Sequence, residues 1–204
     1  MSDGDAGGVL RYALKGKNRH VKMSHYPKGD RIDAVTGAQY FYHAHRENFD
    51  TQEHGHFHCF LRTQFLPARL KPLPLPPPAA PAAAPMTHLV AIAMNRHSRP
   101  IRLFTVNRWV ASDDWFDARR MPSLLKRFQF SPPGDPYWTV LDGWVAGMLH
   151  LFAPQITWLA VARDRAIAAR RTSHPDRDPY DDHRLEELSE LPVDLERQVA
   201  WLTG

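Results

Sequence analysis

Between Ala38 and Trp109 apolar and polar positions alternate in short runs, and after Ser112 the spacing changes to that of helices. Ala38–Arg46 and His54–Thr63 are aromatic-rich and alternate residue by residue, the period of a half-buried strand. The polar stretch ENFDTQ between them can close an antiparallel hairpin. Thr87–Met94 and Ile101–Trp109 repeat the pattern around NRHSRP and predict a second hairpin. Upstream, VLRYALKG and HVKMSHY are short polar and apolar pieces. They are followed by a turn at Asp33–Gly37, where Gly37 supplies a positive φ.

The second half reads differently. Ser112–Asp114 offers an N-cap before WFDARR. Tyr137–Phe152 and Ile156–Arg171 predict two helices separated at Pro154. Leu185–Leu191 and Val193–Leu202 finish this helical text, with Pro192 opening the last helix. Strands first and helices afterwards predict an α+β fold, with an antiparallel sheet of about four or more strands in the N-terminal half and middle, packed by C-terminal helices.

Two segments fall outside both patterns. Residues 1–8 predict a disordered tail. Residues 66–86 are Pro/Ala-rich and extended, a spacer or surface loop between the two hairpins. Within them Leu73–Pro78 also has the texture of an SH3-type ligand, and the spacer is preferred. The part before the spacer has few apolar helix faces and cannot bury a core alone, so residues 1–204 are expected to form a single domain.

Composition narrows the function classes. At 43% hydrophobic, with six Trp and ten Phe, the chain can build a packed core. Its net charge of +4 is spread along the sequence and does not predict a nucleic-acid partner. The single cysteine, Cys59, excludes an internal disulfide and CxxC metal sites and fits a cytoplasmic location. Val140–Ala162 is the most apolar stretch, but Asp142, His150, Pro154 and Gln155 interrupt it, so core helices are expected and no membrane span.

The histidines change the picture most. His43, His45, His54, His56 and His58 place five imidazoles in sixteen residues, at alternating positions of two adjacent strands. Register decides whether they meet. If paired positions sum to an odd number, all five share one face, and Tyr42, Ala44, Phe57 and Cys59 make an apolar second face. The odd sum is expected because it gives a sensible core side. Directly opposed side chains stand about 4.5–5.5 Å apart at Cβ. Imidazoles from both strands can then converge on a divalent transition metal (Fe, Cu or Zn), leaving a coordination position open.

The chemistry this predicts is metal-dependent oxidation or hydrolysis of a small molecule, with His56, Glu47 and Glu53 as candidate catalytic groups. A non-catalytic module that binds a metal or small ligand is the alternative. Arg46 and Arg62 close the two strands and are candidates for holding a carboxylate or phosphate. His88 begins the third strand, and Thr105 and Asn107 either line the pocket or satisfy hydrogen bonds at strand ends.

HGHFHCF, His54 to Phe60, resembles the histidine-triad signature of nucleotide hydrolases and transferases. That resemblance implies metal-free phosphoryl or nucleotidyl chemistry with His56 as nucleophile, although Gly55 replaces an apolar position. His43-Ala44-His45 resembles the His-x-His of cupins, without their following Glu and glycine framework. Over most of its length the chain resembles an uncharacterised bacterial family. HYPKGD (His25–Asp30), TGAQYFYHAHRE (Thr36–Glu47), EHGHFHCFLR (Glu53–Arg62) and ELPVDLE (Glu190–Glu196) carry that likeness. It implies no particular activity.

Overall fold

A computed structural model describes residues 8–14, 21, 24–43, 52–78, 84–111 and 114–203. Six strands, β1 (Tyr26–Ile32), β2 (Ala38–His43), β3 (Gly55–Arg62), β4 (Met86–Met94), β5 (Pro100–Val106) and β6 (Glu187–Pro192), form one antiparallel sheet in the order of the chain. The helices are α1 (Val9–Ala13), α2 (Arg108–Ala111), α3 (Met121–Leu125), α4 (Pro136–Leu151), α5 (Ala153–Ser173) and α6 (Leu195–Thr203). The fold is α+β. Alternation along the strands sends Tyr40, Tyr42, Phe57, Cys59, Leu61, Ile92 and Leu103 to one face. There they pack with Leu141, Val145 and Leu149 of α4 and Ile156, Leu159 and Ala160 of α5.

Trp109, expected at the end of a strand, lies in α2, and WFDARR forms no α-helix. Two strands also depart from the sequence expectation. Residues 187–192 fall in text read as helical, because Leu185, Leu188 and Leu191 recur every third position. They form β6 instead. The outer edge of β5 needs a partner for its backbone, and β6 supplies it through pairs such as Leu103 with Leu191 and Thr105 with Ser189. The other is β1, hidden by a register break between Tyr26 and Arg31 in its pairing with β2. Gly29 and Asp30 take positive φ within that break, which no alternation rule could follow.

Pro154, expected as a break between helices, sits in the first turn of α5, where its missing N–H costs nothing. The Asp135 carboxylate caps α4 by accepting from the Tyr137 N–H. Among the described residues no single helix is long and apolar enough to cross a membrane. The described part of the Pro/Ala-rich segment is held against the body of the protein at Leu73, Leu75 and Pro76. The Leu73 N–H donates to the Trp115 carbonyl, Arg108 donates to the Pro76 carbonyl, and Leu73 and Leu75 pack on the Trp115, Ile167 and Tyr180 cluster. Leu73–Pro76 is thus anchored.

A cross-brace ties the sheet to α4. Asp142 lies on α4, only 4% exposed, and accepts from both Nε and Nη2 of Arg31 and from the Tyr40 hydroxyl at 2.8 Å. The Arg31 guanidinium also lies over the Trp138 ring. A second buried carboxylate, Asp33, organises the β1–β2 turn by accepting from the N–H groups of Val35, Thr36 and Ser131. Burial alone would raise its pKa, but these hydrogen bonds hold it below the usual carboxylate value. The stabilisation is therefore present above the unfolded-state pKa and is lost as pH falls through the folded one. Asp33→Asn is expected to lower stability near neutrality by about 1–2 kcal/mol and to flatten the acid limb of a stability-against-pH curve, read by urea unfolding at stepped pH.

Candidate metal centre

The register of β2 on β3 pairs His43 with His56, Tyr42 with Phe57, Phe41 with His58 and Tyr40 with Cys59, the odd sum. The face opposite α4 and α5 therefore carries His43, His56 and His58. They are 6%, 6% and 4% exposed, so imidazoles line a buried surface where a solvated patch would be the ordinary outcome. One ligand nitrogen from each ring lies within 4.8 Å of the others. Three nitrogens bound at about 2.1 Å in tetrahedral geometry stand about 3.4 Å apart, so a group of this size could hold an ion. Cys59 is on the helix side, fully buried, with its thiol pKa pushed up by burial, and it faces away from the site.

The rings are held from behind. The Nδ1 of His56 is 2.7 Å from the Glu53 carboxylate, which can only accept, so this nitrogen carries hydrogen and Nε2 is the one directed to the other histidines. That Nε2 points at Nε2 of His43, 3.0 Å away. Glu53 is fixed in turn by Nε and Nη2 of Arg102, whose Nη1 bonds Glu187 and Glu190. Burial would raise the Glu53 pKa, but His56 and Arg102 together hold it below the usual value. A carboxylate behind a histidine is the arrangement that orients and strengthens a metal-binding imidazole. Glu53→Gln is expected to weaken metal binding roughly 10–100-fold, measured by competition with a chromogenic chelator.

Arg102 escaped sequence reasoning, which looked instead to Thr105 and Asn107. The register β4–β5 pairs Ala93 with Arg102 and Ala91 with Phe104, while β3–β4 pairs His56 with Ala93 and His58 with Ala91. Arg102 and Phe104 thus stand in the same rows as the two histidines, with small alanines between. Thr105 and Asn107 have the other parity. They hydrogen-bond Ser189 and the carbonyls of Pro179 and Leu185.

His88 was seen only as the start of a strand. Strict alternation from Val90 would send it to the helix side. A bulge between the pairs Cys59–Val90 and Phe60–His88 skips Leu89 and turns His88 to the histidine face. Its Nε2 lies 3.1 Å from Nδ1 of His58. Burial is the main cause that pushes its pKa down to about 3, with nearby Arg163 acting in the same direction, so it is neutral at physiological pH.

The remaining candidates separate. His54 precedes the first residue of β3, and its Nδ1 is hydrogen-bonded to the Tyr42 hydroxyl at 2.6 Å, so it stands apart from the three-histidine group. Arg62 donates to Gln39, which donates to Asp30, at the other end of β3 from His56. It does not line the cavity described below. His45, Arg46 and Glu47 lie outside the described residues.

Gly55, out of place in an apolar motif, has a packing reason. A Cβ there would come within 2.5 Å of the Tyr42 hydroxyl and 2.6 Å of the His43 carbonyl. Gly55→Ala is expected to cost about 1–3 kcal/mol by forcing Tyr42 or β2 to shift, seen as a lowered urea midpoint.

A cavity of about 640 Å³ opens beside the group, lined by His56, His58, Phe104, Val106 and Val110, with Glu53, Arg102, Glu186 and Glu187 around it. A family model matches residues 2–193. The chain belongs to DUF6969, a domain of unknown function. This agrees with the uncharacterised family that the HYPKGD, YFYHAHRE and EHGHFHCFLR stretches resemble. No curated protein and no solved structure matched the chain. Membership of DUF6969 brings no chemistry with it, so the function has to be argued from the site.

Proposed function

We propose that this DUF6969 chain binds one divalent transition-metal ion on His43, His56 and His58 and uses it to oxidise or hydrolyse a small molecule held in the adjoining cavity. The observation that carries this reading is the buried group of three imidazoles, drawn from two paired strands, with one ring oriented by Glu53. Three neutral nitrogen ligands suit Zn, Fe or Cu. An ion so held supplies Lewis-acid polarisation, an activated water or a redox centre, according to its identity.

The protein's own parts follow from the geometry. Glu53 holds the proton on Nδ1 of His56 and thereby keeps Nε2 available. Arg102 keeps Glu53 ionised and in place. Phe104, Val106 and Val110 give the substrate an apolar wall beside the ion. Glu53 thus serves as a positioning group, with its oxygens engaged by His56 and Arg102.

Metal-free phosphoryl transfer at His56 is supported less well. The cavity lining includes Glu53, Glu186 and Glu187 against Arg102, whose guanidinium already meets three carboxylates. A phosphate approaching His56 would find charge repulsion, and among the described residues lining the cavity its one cation, Arg102, is already paired. A non-catalytic metal carrier is separated by the coordination sphere, which would then be filled by protein. Elemental analysis of protein purified without a histidine tag tests the proposal. About one equivalent of Zn, Fe or Cu per chain is expected. No metal as purified, and none bound after addition of each ion, would sink it.

A further inference from the structure

Of the imidazoles on this face, His88 has no place in the proposed ligand set. It is nonetheless buried, and a β-bulge is what brings it there. We infer that His88 is a positioning residue for the metal centre: its Nε2 accepts a hydrogen bond from Nδ1–H of His58 and so commits His58 to ligate through Nε2. This rests on the metal-binding reading above and adds a residue and a tautomer to it.

The argument is geometric. The Nδ1 of His58 is 3.1 Å from His88 Nε2, so that nitrogen of His58 is engaged by a protein partner. Ligation of an ion by His58 then falls to Nε2. A neutral imidazole carries hydrogen on one nitrogen and a lone pair on the other. For His58 to offer a lone pair at Nε2, hydrogen must sit on Nδ1, and His88 Nε2 must accept it. His56 reaches the same tautomer by a different partner, the Glu53 carboxylate. The two histidines of β3 are thus backed by unlike acceptors, one charged and one neutral.

The fold spends a register irregularity on this contact. The rings of His58 and His88 are 5.2 Å apart and tilted, and Phe60 stands edge-on to His88 at 5.2 Å. Without the Leu89 bulge, the side chain at position 88 would join Val90 on the helix side, and His58 would lose its partner.

The first test needs no metal. Imidazole nitrogen shifts of metal-free wild-type protein, labelled with nitrogen-15 histidine and assigned with a His58→Gln variant, report which nitrogen of His58 carries hydrogen. Hydrogen on Nδ1 is expected, and hydrogen on Nε2 would overturn the inference. The second test compares zinc affinity by chelator competition. His88→Leu is expected to bind Zn²⁺ roughly 10–100-fold more weakly than wild type, and His88→Gln, whose carbonyl can accept, to recover most of that loss. Both variants are checked for an unchanged urea midpoint without metal. If His88→Leu does not fold, His88→Gln against wild type decides together with the shifts. Equal zinc affinity in a folded His88→Leu would overturn the inference. Failure of wild type to bind zinc, iron or copper would instead defeat the metal-binding reading itself, while the tautomer measurement would still be decided.

Discussion

His56→Ala is expected to abolish stoichiometric metal binding, weakening affinity by more than about 100-fold, beyond the usual effect of losing an outer partner. The size follows from the position of the residue. His56 faces His43 through Nε2 and Glu53 through Nδ1, so its removal deletes a ligand and frees the carboxylate that oriented it. His97→Ala, in the exposed turn between β4 and β5, is the control and should load like wild type. Isothermal titration of metal-free protein with Zn²⁺ reads the difference. If His56→Ala binds as tightly as wild type, the ion sits elsewhere and the three-histidine centre is wrong.

The largest effect on stability is expected at Asp142. Replacing it with alanine removes the acceptor for two Arg31 nitrogens and for the Tyr40 hydroxyl. The guanidinium is then left part-buried among Phe130 and Trp138 without its counter-charge. Breaking a buried pair from one side costs about 3–5 kcal/mol, even where the intact pair contributes little net energy. Tyr40→Phe removes one hydrogen bond and should cost about 1 kcal/mol. The double variant should cost less than the sum, because both changes remove the same contact. Urea unfolding of the four proteins measures this. A loss under about 1 kcal/mol for Asp142→Ala would show that the brace between sheet and α4 is incidental.

The three-histidine group and the sheet were legible to different depths. Alternation in AQYFYH and GHFHCFLR identified β2 and β3. The demand for an apolar side at Tyr42, Phe57 and Cys59 was enough to choose the register that gathers His43, His56 and His58. What stayed hidden depends on irregularities. His88 reaches the site only because Leu89 is skipped, and β1 is broken around Gly29 and Asp30. The place of Arg102 depends on the register of β4 on β3, formed across the Pro/Ala-rich segment, which local alternation does not contain. β6 was obscured because Leu185, Leu188 and Leu191 mimic a helical spacing. An unpaired sheet edge outweighed that local preference. His54 shows the converse limit: parity assigns it to the group, but one residue before the strand its ring is bound to Tyr42.

The most direct measurement is anomalous diffraction from crystals of the protein loaded with zinc, recorded on both sides of the metal absorption edge. A single peak about 2.0–2.1 Å from one nitrogen each of His43, His56 and His58 is the predicted result. A peak away from these three rings, or none in crystals of protein that elemental analysis shows to be loaded, would contradict it.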